Sequence, residues 1–394
     1  MTEFDGTQDQ RAQFAALNHE IYNLTKQLEA KEREYLESTK TDAYDPFKNP
    51  TEFRWYRDDY SEILPWITMP EFAVSFEPAK VEKSAIRRFY NIGGFTLVFQ
   101  FFGSNLIVYG LIFLIKYILG AVNPDASAGA ISHYMNNTSI FPAINMLTYL
   151  TANVGFAFLG LKWAKIKPSF MIQTKDLGFG DIVKYCMTGL FLLIVSTYLA
   201  TGVEDIFSHY GYTTDVIDSD YGKTGMGFAV MTVYSCIIAP ITEEIFFRGA
   251  LMKIFSKANQ RFGIIASAMF FGLAHGNLPQ FILACMLGLF LGHIDMKHNS
   301  IVPSVIVHIF LNTMVTIVTE LKGDTALVLG FTLLMYAGAI AGLALLILLR
   351  KECKFPVSTP AQTRRGIAIA KTSVGFVIAF LLNVAYLVFL IAIT

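Results

Sequence analysis

From Gly93 to the end, long apolar stretches alternate with short polar ones. A transmembrane helix needs about 20 mostly apolar residues. Stretches of that kind fall at 93–119, 140–161, 181–203, 226–252, 262–276, 279–294, 300–321, 325–349 and 372–394. The expected fold is all-α: a polytopic transmembrane helical bundle of about nine spans with a polar N-terminal helical extension. The fifth and sixth stretches are short and flank Gly276-Asn277-Leu278-Pro279, so they are expected to be tilted or shielded from lipid by their neighbours.

The composition shift near Arg88 divides the chain into a cytoplasmic N-terminal region, 1–90, and a transmembrane domain, 91–394, with its catalytic core at about 226–321. Within the first region Phe14, Leu17, Ile21, Leu24 and Leu28 alternate three and four apart, which is an a/d seam. Such a seam packs on its own chain or on a second copy, so residues 14–28 are the candidate homodimer contact. Asp45, Pro46, Asn49 and Pro50 then break the helix. The aromatic stretch from Phe53 to Phe76 reads as a small cap or as a segment lying on lipid headgroups.

Composition agrees with a membrane protein. Of 394 residues, 54% are hydrophobic and 16% charged, against roughly 45–50% and 25% in soluble domains. Mean hydropathy is +0.47. Net charge is zero, which gives no support to nucleic-acid binding. The first residues are polar and lack an apolar core, so no signal peptide is expected. Cys186, Cys236, Cys285 and Cys353 lie far apart and match neither a disulfide framework nor a zinc knuckle. Lysine and arginine cluster before the first stretch and after the second, fourth, sixth and eighth. The positive-inside rule then puts the N-terminus in the cytoplasm and the C-terminus outside.

Ionisable residues at bilayer depth are costly and mark functional sites. Glu243, Glu244, Arg248, His275 and His308 all fall inside apolar stretches. Residues four apart share a helix face, so Glu244 can pair with Arg248 and His308 can align with Asn312. Glu243 is turned about 100° from Glu244 and can face a different space. Glu243 stands 14 residues before Lys257, and His275 14 after Arg261. Each is then roughly 20 Å from a charged anchor, and His308, 11 residues after Lys297, roughly 16 Å. Antiparallel helices would bring them to one level. A glutamate beside a histidine can deprotonate water, and a histidine with an asparagine can donate to an oxyanion. An aspartyl dyad is not expected, because the stretches offer no second carboxylate at this depth besides Glu244.

Three motifs carry a resemblance. Glu243-Glu244-Ile245-Phe246-Phe247-Arg248-Gly249, Phe271-Gly272-Leu273-Ala274-His275 and His308-Ile309-Phe310-Leu311-Asn312 occur in this order on three separate stretches. Together they resemble the signatures of the CPBP (or ABI) family of CAAX prenyl endopeptidases and bacteriocin-processing proteins, over about 226–321. The resemblance implies a glutamate-dependent intramembrane endopeptidase opening toward the cytosol and acting on a membrane-associated peptide or protein. It assigns water activation to Glu243 and His275, and the oxyanion hole to His308 and Asn312. It gives Glu244, Arg248 and Phe271 supporting roles. It also implies a bacterial plasma membrane, where the family is most abundant.

Competing readings use the same residues. Glu244–Arg248 alone could be a structural ion pair, and the histidines satisfied core residues. A non-catalytic scaffold of the same fold would have lost catalytic residues, and none is lost. A proton-relay transporter would show inverted repeats, which are not evident. Glu243 and the two histidines could hold zinc, but neither His-Glu-x-x-His nor another paired ligand spacing is present; no cofactor is expected. Asn145 and Asn153 are expected to make interhelical hydrogen bonds.

Overall fold

The computed structural model describes residues 8–38, 78–172, 174, 177–212, 225–257, 259–320, 325–348 and 360–393. Among these there are only helices and turns. The helices are α1 (Gln8–Ser38), α2 (Pro78–Val122), α3 (Ala128–Asn136), α4 (Ile140–Trp163), α5 (Phe179–His209) and α6 (Gly225–Phe255). They continue as α7 (Gln260–Leu273), α8 (Leu278–His298), α9 (Val302–Glu320), α10 (Thr325–Leu348), α11 (Pro360–Ala370) and α12 (Val374–Ile393). By length and composition, eight can cross a bilayer: α2, α4, α5, α6, α8, α9, α10 and α12. The chain is a polytopic integral membrane protein.

The expected span missing from this set is the fifth, α7, an apolar helix of only 14 residues. That is roughly 21 Å, short of the ~30 Å hydrocarbon core. It ends at Leu273, and Gly276 just beyond, with a φ of +70°, turns the chain back. A side chain there is excluded twice over: by that φ, and because a Cβ would lie 2.7 Å from Tyr386 of α12. The sixth stretch is longer than expected. Asn277 caps α8 by accepting from the Gln280 N–H, and the helix runs to His298.

Among the described residues, two large apolar cores hold the bundle, beside a small cluster of Met252, Ile264 and Met296. One joins α2, α4, α6, α7 and α12 through Tyr90, Leu161, Phe255, Phe270 and Ala379. The other joins α5, α8, α9 and α10 through Leu190, Leu291, Val307 and Ala339. α10 closes on α5 at Gly342, where a side chain would strike the Met187 backbone. Ile86, Phe89 and Tyr90 are already buried, and α2 passes unbroken through residue 90. The expected boundary at 90 thus falls inside a helix that belongs to the bundle. On α1, Leu17, Ile21, Leu24 and Leu28 are exposed. Residues 53–76 and Cys353 lie outside the described residues.

α6 changes its winding twice, with π-helical turns at Tyr234–Ile238 and Ile245–Met252 around an α-helical step, Ala239–Glu244. Pro240 opens that step. A proline inside a helix has no N–H to give and its ring crowds the preceding turn. The turn before it widens accordingly, and the Ala239 N–H reaches back five residues to the Tyr234 carbonyl. Such wide turns recur at functional sites.

Candidate active site

Six of the seven residues singled out from the sequence are linked by contacts where α6, α7 and α9 come together, and Asn312 stands one turn beyond His308 on α9. Glu244 and Arg248 are wholly buried. Glu244 Oε1 accepts from Arg248 Nη1 at 2.9 Å and lies 2.8 Å from His308 Nδ1. The same His308 ring turns its Nε2 toward Glu243 Oε2, 3.9 Å away. That gap is too long for a direct hydrogen bond, but it puts one imidazole between two carboxylates. Glu243 is the more open of the two, its side chain 23% exposed. Glu244 is bound to the arginine, while Glu243 lies across the same His308 ring from it.

Phe271 is the common neighbour. Its ring centroid is 4.2 Å from Arg248 Cζ, a cation–π contact. It lies 5.1 Å from the His275 ring and 5.8 Å from the His308 ring, both edge to face. Phe247 meets it from α6 at 5.0 Å. Gly288 of α8 leaves room for the guanidinium, since a Cβ there would lie 3.2 Å from Arg248 Nη2.

His275 owes its position to the shortness of α7. It stands just past the helix end, where carbonyls lack intrahelical donors. Its Nδ1 lies 2.8 Å from the Phe271 carbonyl, one turn back. A carbonyl only accepts, so Nδ1 carries the proton and donates. That leaves Nε2 with a lone pair unless the ring is doubly protonated.

Asn312 has an unexpected attachment. Its Nδ2 donates to the Ser235 carbonyl at 2.9 Å. Ser235 is in the wide turn before Pro240, five residues earlier, so the proline cannot supply a partner. Asn312 therefore repairs the defect that Pro240 creates. One of the two amide N–H groups is used this way, and an oxyanion role falls to the other.

Two residues of this neighbourhood escaped the sequence reading. Asp295 of α8 is wholly buried and accepts from the Ser304 backbone N–H at 3.0 Å and from Ser304 Oγ at 2.6 Å. It interacts electrostatically with Glu244 and Arg248, and Ser304 also reaches Glu244. The expectation that no second carboxylate shares this depth is thus corrected. Asp295 lies one residue beyond the stretch 279–294, and only the added turn of α8 brings it inside. Lys253 and Lys257, expected as solvated anchors, are buried too, and Lys253 interacts with Asp295. Asn153 behaves as expected: its Nδ2 donates to Thr242 Oγ1 at 3.3 Å, and its Oδ1 accepts from Gln100 at 3.0 Å.

Comparison with known proteins bears on the segment that carries these residues. Residues 225–314, which include all three motifs, match the family described as Type II CAAX prenyl endopeptidase Rce1-like. The chain is 24% identical over 139 residues to the candidate membrane peptidase YdiL of Bacillus subtilis (strain 168). That alignment spans 35% of this chain and 57% of YdiL, little more than half the relative's length. No solved structure matches the chain. Over residues 225–314, the segment that holds its buried charges, the chain is thus similar to the CAAX prenyl endopeptidase family.

Proposed function

We propose that the protein is an intramembrane endopeptidase in which Glu243 and His275 activate a water molecule. The observation that carries this is the His308 ring set between Glu244, fixed by Arg248, and Glu243, half open beside it. A base or donor oriented by a second group, itself anchored, is the general pattern of activated hydrolytic sites. The water proton passes to Glu243, and the water oxygen bonds to the scissile carbonyl carbon. The oxyanion forms near His308 and Asn312. The proton then moves to the departing amine as the C–N bond breaks, giving a carboxylic acid and an amine. His308 can donate from Nε2 only when doubly protonated, because Nδ1 is committed to Glu244. The low dielectric around these groups strengthens each interaction.

The donor set supports direct general-base chemistry over zinc. Asn312 is an amide and a poor zinc ligand, and Glu244 already serves Arg248 and His308. Prolonged chelation should leave activity intact, whereas loss on chelation with recovery on added zinc would establish a metalloenzyme. The substrate class we infer is a membrane-associated peptide or protein. Comparing the termini of membrane peptides in cells with wild type and Glu243→Gln tests this. Products absent only from the variant are expected; identical sets would leave a non-catalytic scaffold.

The relative from Bacillus supports a bacterial plasma membrane, with the N-terminus cytoplasmic by the positive-inside rule. The α7–α8 hairpin returns to the side it left whether or not α7 fully crosses, so that orientation does not depend on it. Cysteines placed at Ser208 and Ser358, in a background without native cysteines, should label from opposite sides. The exposed seam of α1 supports a homodimer through residues 14–28, to be read from cross-linking at Leu24→Cys.

A further inference from the structure

Away from the site, α2 and the end of α4 enclose an open groove of about 520 Å³. This falls in the ~300–1,000 Å³ range of small-ligand sites. Its lining changes character along one helical face. Arg87, Arg88 and Asn91 line one end, Phe95 and Phe99 follow one and two turns on, and Trp163 comes across from α4. None of the residues that line it is acidic. From Arg88 to Phe99 the rise is roughly 17 Å. Arg87 is held in place by its Nη2, which donates to Thr372 Oγ1 at 3.1 Å. Phe99 and Trp163 pack edge to face at 5.6 Å, yet remain 44% and 39% exposed, so an apolar chain can lie on them. A cationic end leading into an aromatic trough at the start of a membrane span has the polarity of one kind of molecule.

We propose that this groove binds an anionic phospholipid, its phosphate between Arg87 and Arg88 and one acyl chain along Phe95, Phe99 and Trp163. Two guanidinium groups favour phosphate over a zwitterionic headgroup, in which a choline ammonium would meet them. Basic pockets at the cytoplasmic ends of spans recognise headgroups in this way. The site is separate from the buried charges and independent of the proposed hydrolysis.

Trp163 is the reporter. The chain has three tryptophans, so full-length protein carrying Trp55→Phe and Trp66→Phe leaves Trp163 alone. Its fluorescence is titrated in mixed micelles with acyl-brominated phosphatidylglycerol or phosphatidylcholine. Phosphatidylglycerol should quench at a several-fold lower mole fraction. Arg88→Gln should weaken that preference roughly fivefold, Arg88→Lys should keep most of it, and Arg87→Gln/Arg88→Gln should abolish it. Size-exclusion elution checks that each variant is folded; Arg88→Gln carries the test if the double variant is not. Equal quenching by the two lipids, or a preference that survives Arg88→Gln, overturns the proposal. So does a preference abolished by inorganic phosphate but not by chloride at equal ionic strength, which would mark a plain phosphate site.

Discussion

Two buried clusters stand on either side of α6 and follow opposite rules. On one side Tyr90, Phe255, Phe262, Phe270 and Phe376 form an aromatic knot, with Phe376 centroids 5.2 to 6.0 Å from the others. On the other, Glu244, Arg248, Lys253, Lys257 and Asp295 are buried together. The knot asks nothing of its neighbours but shape, and each ring pair adds about 0.5–1.5 kcal/mol. The charges depend on one another. A buried ion pair is often worth no more than an apolar replacement, while removing one partner costs about 3–5 kcal/mol. A fold needing only stability would repeat the knot, so the expensive side is where function should be sought.

Mutations can break that contrast in decreasing order of effect. Glu243→Gln should lower cleavage by about 10²–10⁴, the usual contribution of a general base, with yield and thermal midpoint unchanged; full activity would remove Glu243 from the chemistry. His275→Ala and His308→Ala should be comparably inactive. Arg248→Ala strands Glu244 and should cost about 3–5 kcal/mol, seen as lost yield or a lower melting midpoint in detergent. Arg248→Met with Glu244→Leu should recover stability without activity. Asn312→Ala should retain residual cleavage, down on the order of 10²–10³, and lose about 1 kcal/mol of stability with the Ser235 bond. Stability unchanged in Asn312→Ala would mean the wide turn of α6 does not need that donor. Phe376→Leu should cost about 1–2 kcal/mol with activity per folded molecule intact. A large activity loss there would erase the distinction between the two sides.

The candidate residues were legible because cost is legible: a charge inside an apolar stretch is visible without coordinates. Counting residues from charged anchors also brought His275 and His308 to one level, where they flank Phe271. Asp295 was missed because hydropathy fades near a helix end, although the helix itself continues to His298. Lys253 and Lys257 misled for a related reason: sequence reports charge, and only the fold reports whether water reaches it. The tie between Asn312 and Ser235 needs two helices in register and cannot be read from either. Pro240, however, was a signal in plain view. A proline within an expected span announces a carbonyl in want of a donor. α3 and α11 are short and weakly apolar, so no periodic pattern revealed them.

The widened turns of α6 make length as binding as composition. A π turn holds one residue more than an α turn, so each acts as a built-in insertion that sets the phase of everything beyond it. Deleting a single residue between Tyr234 and Ile238 would let the turn close to ordinary winding with its flanks still in phase, whereas adding one to the already widened turn would swing Glu243 and Glu244 about 100° around the axis. His308 would then face neither. Chimeras with related membrane proteins should therefore be spliced outside 234–252, however closely the swapped segments agree in residue type.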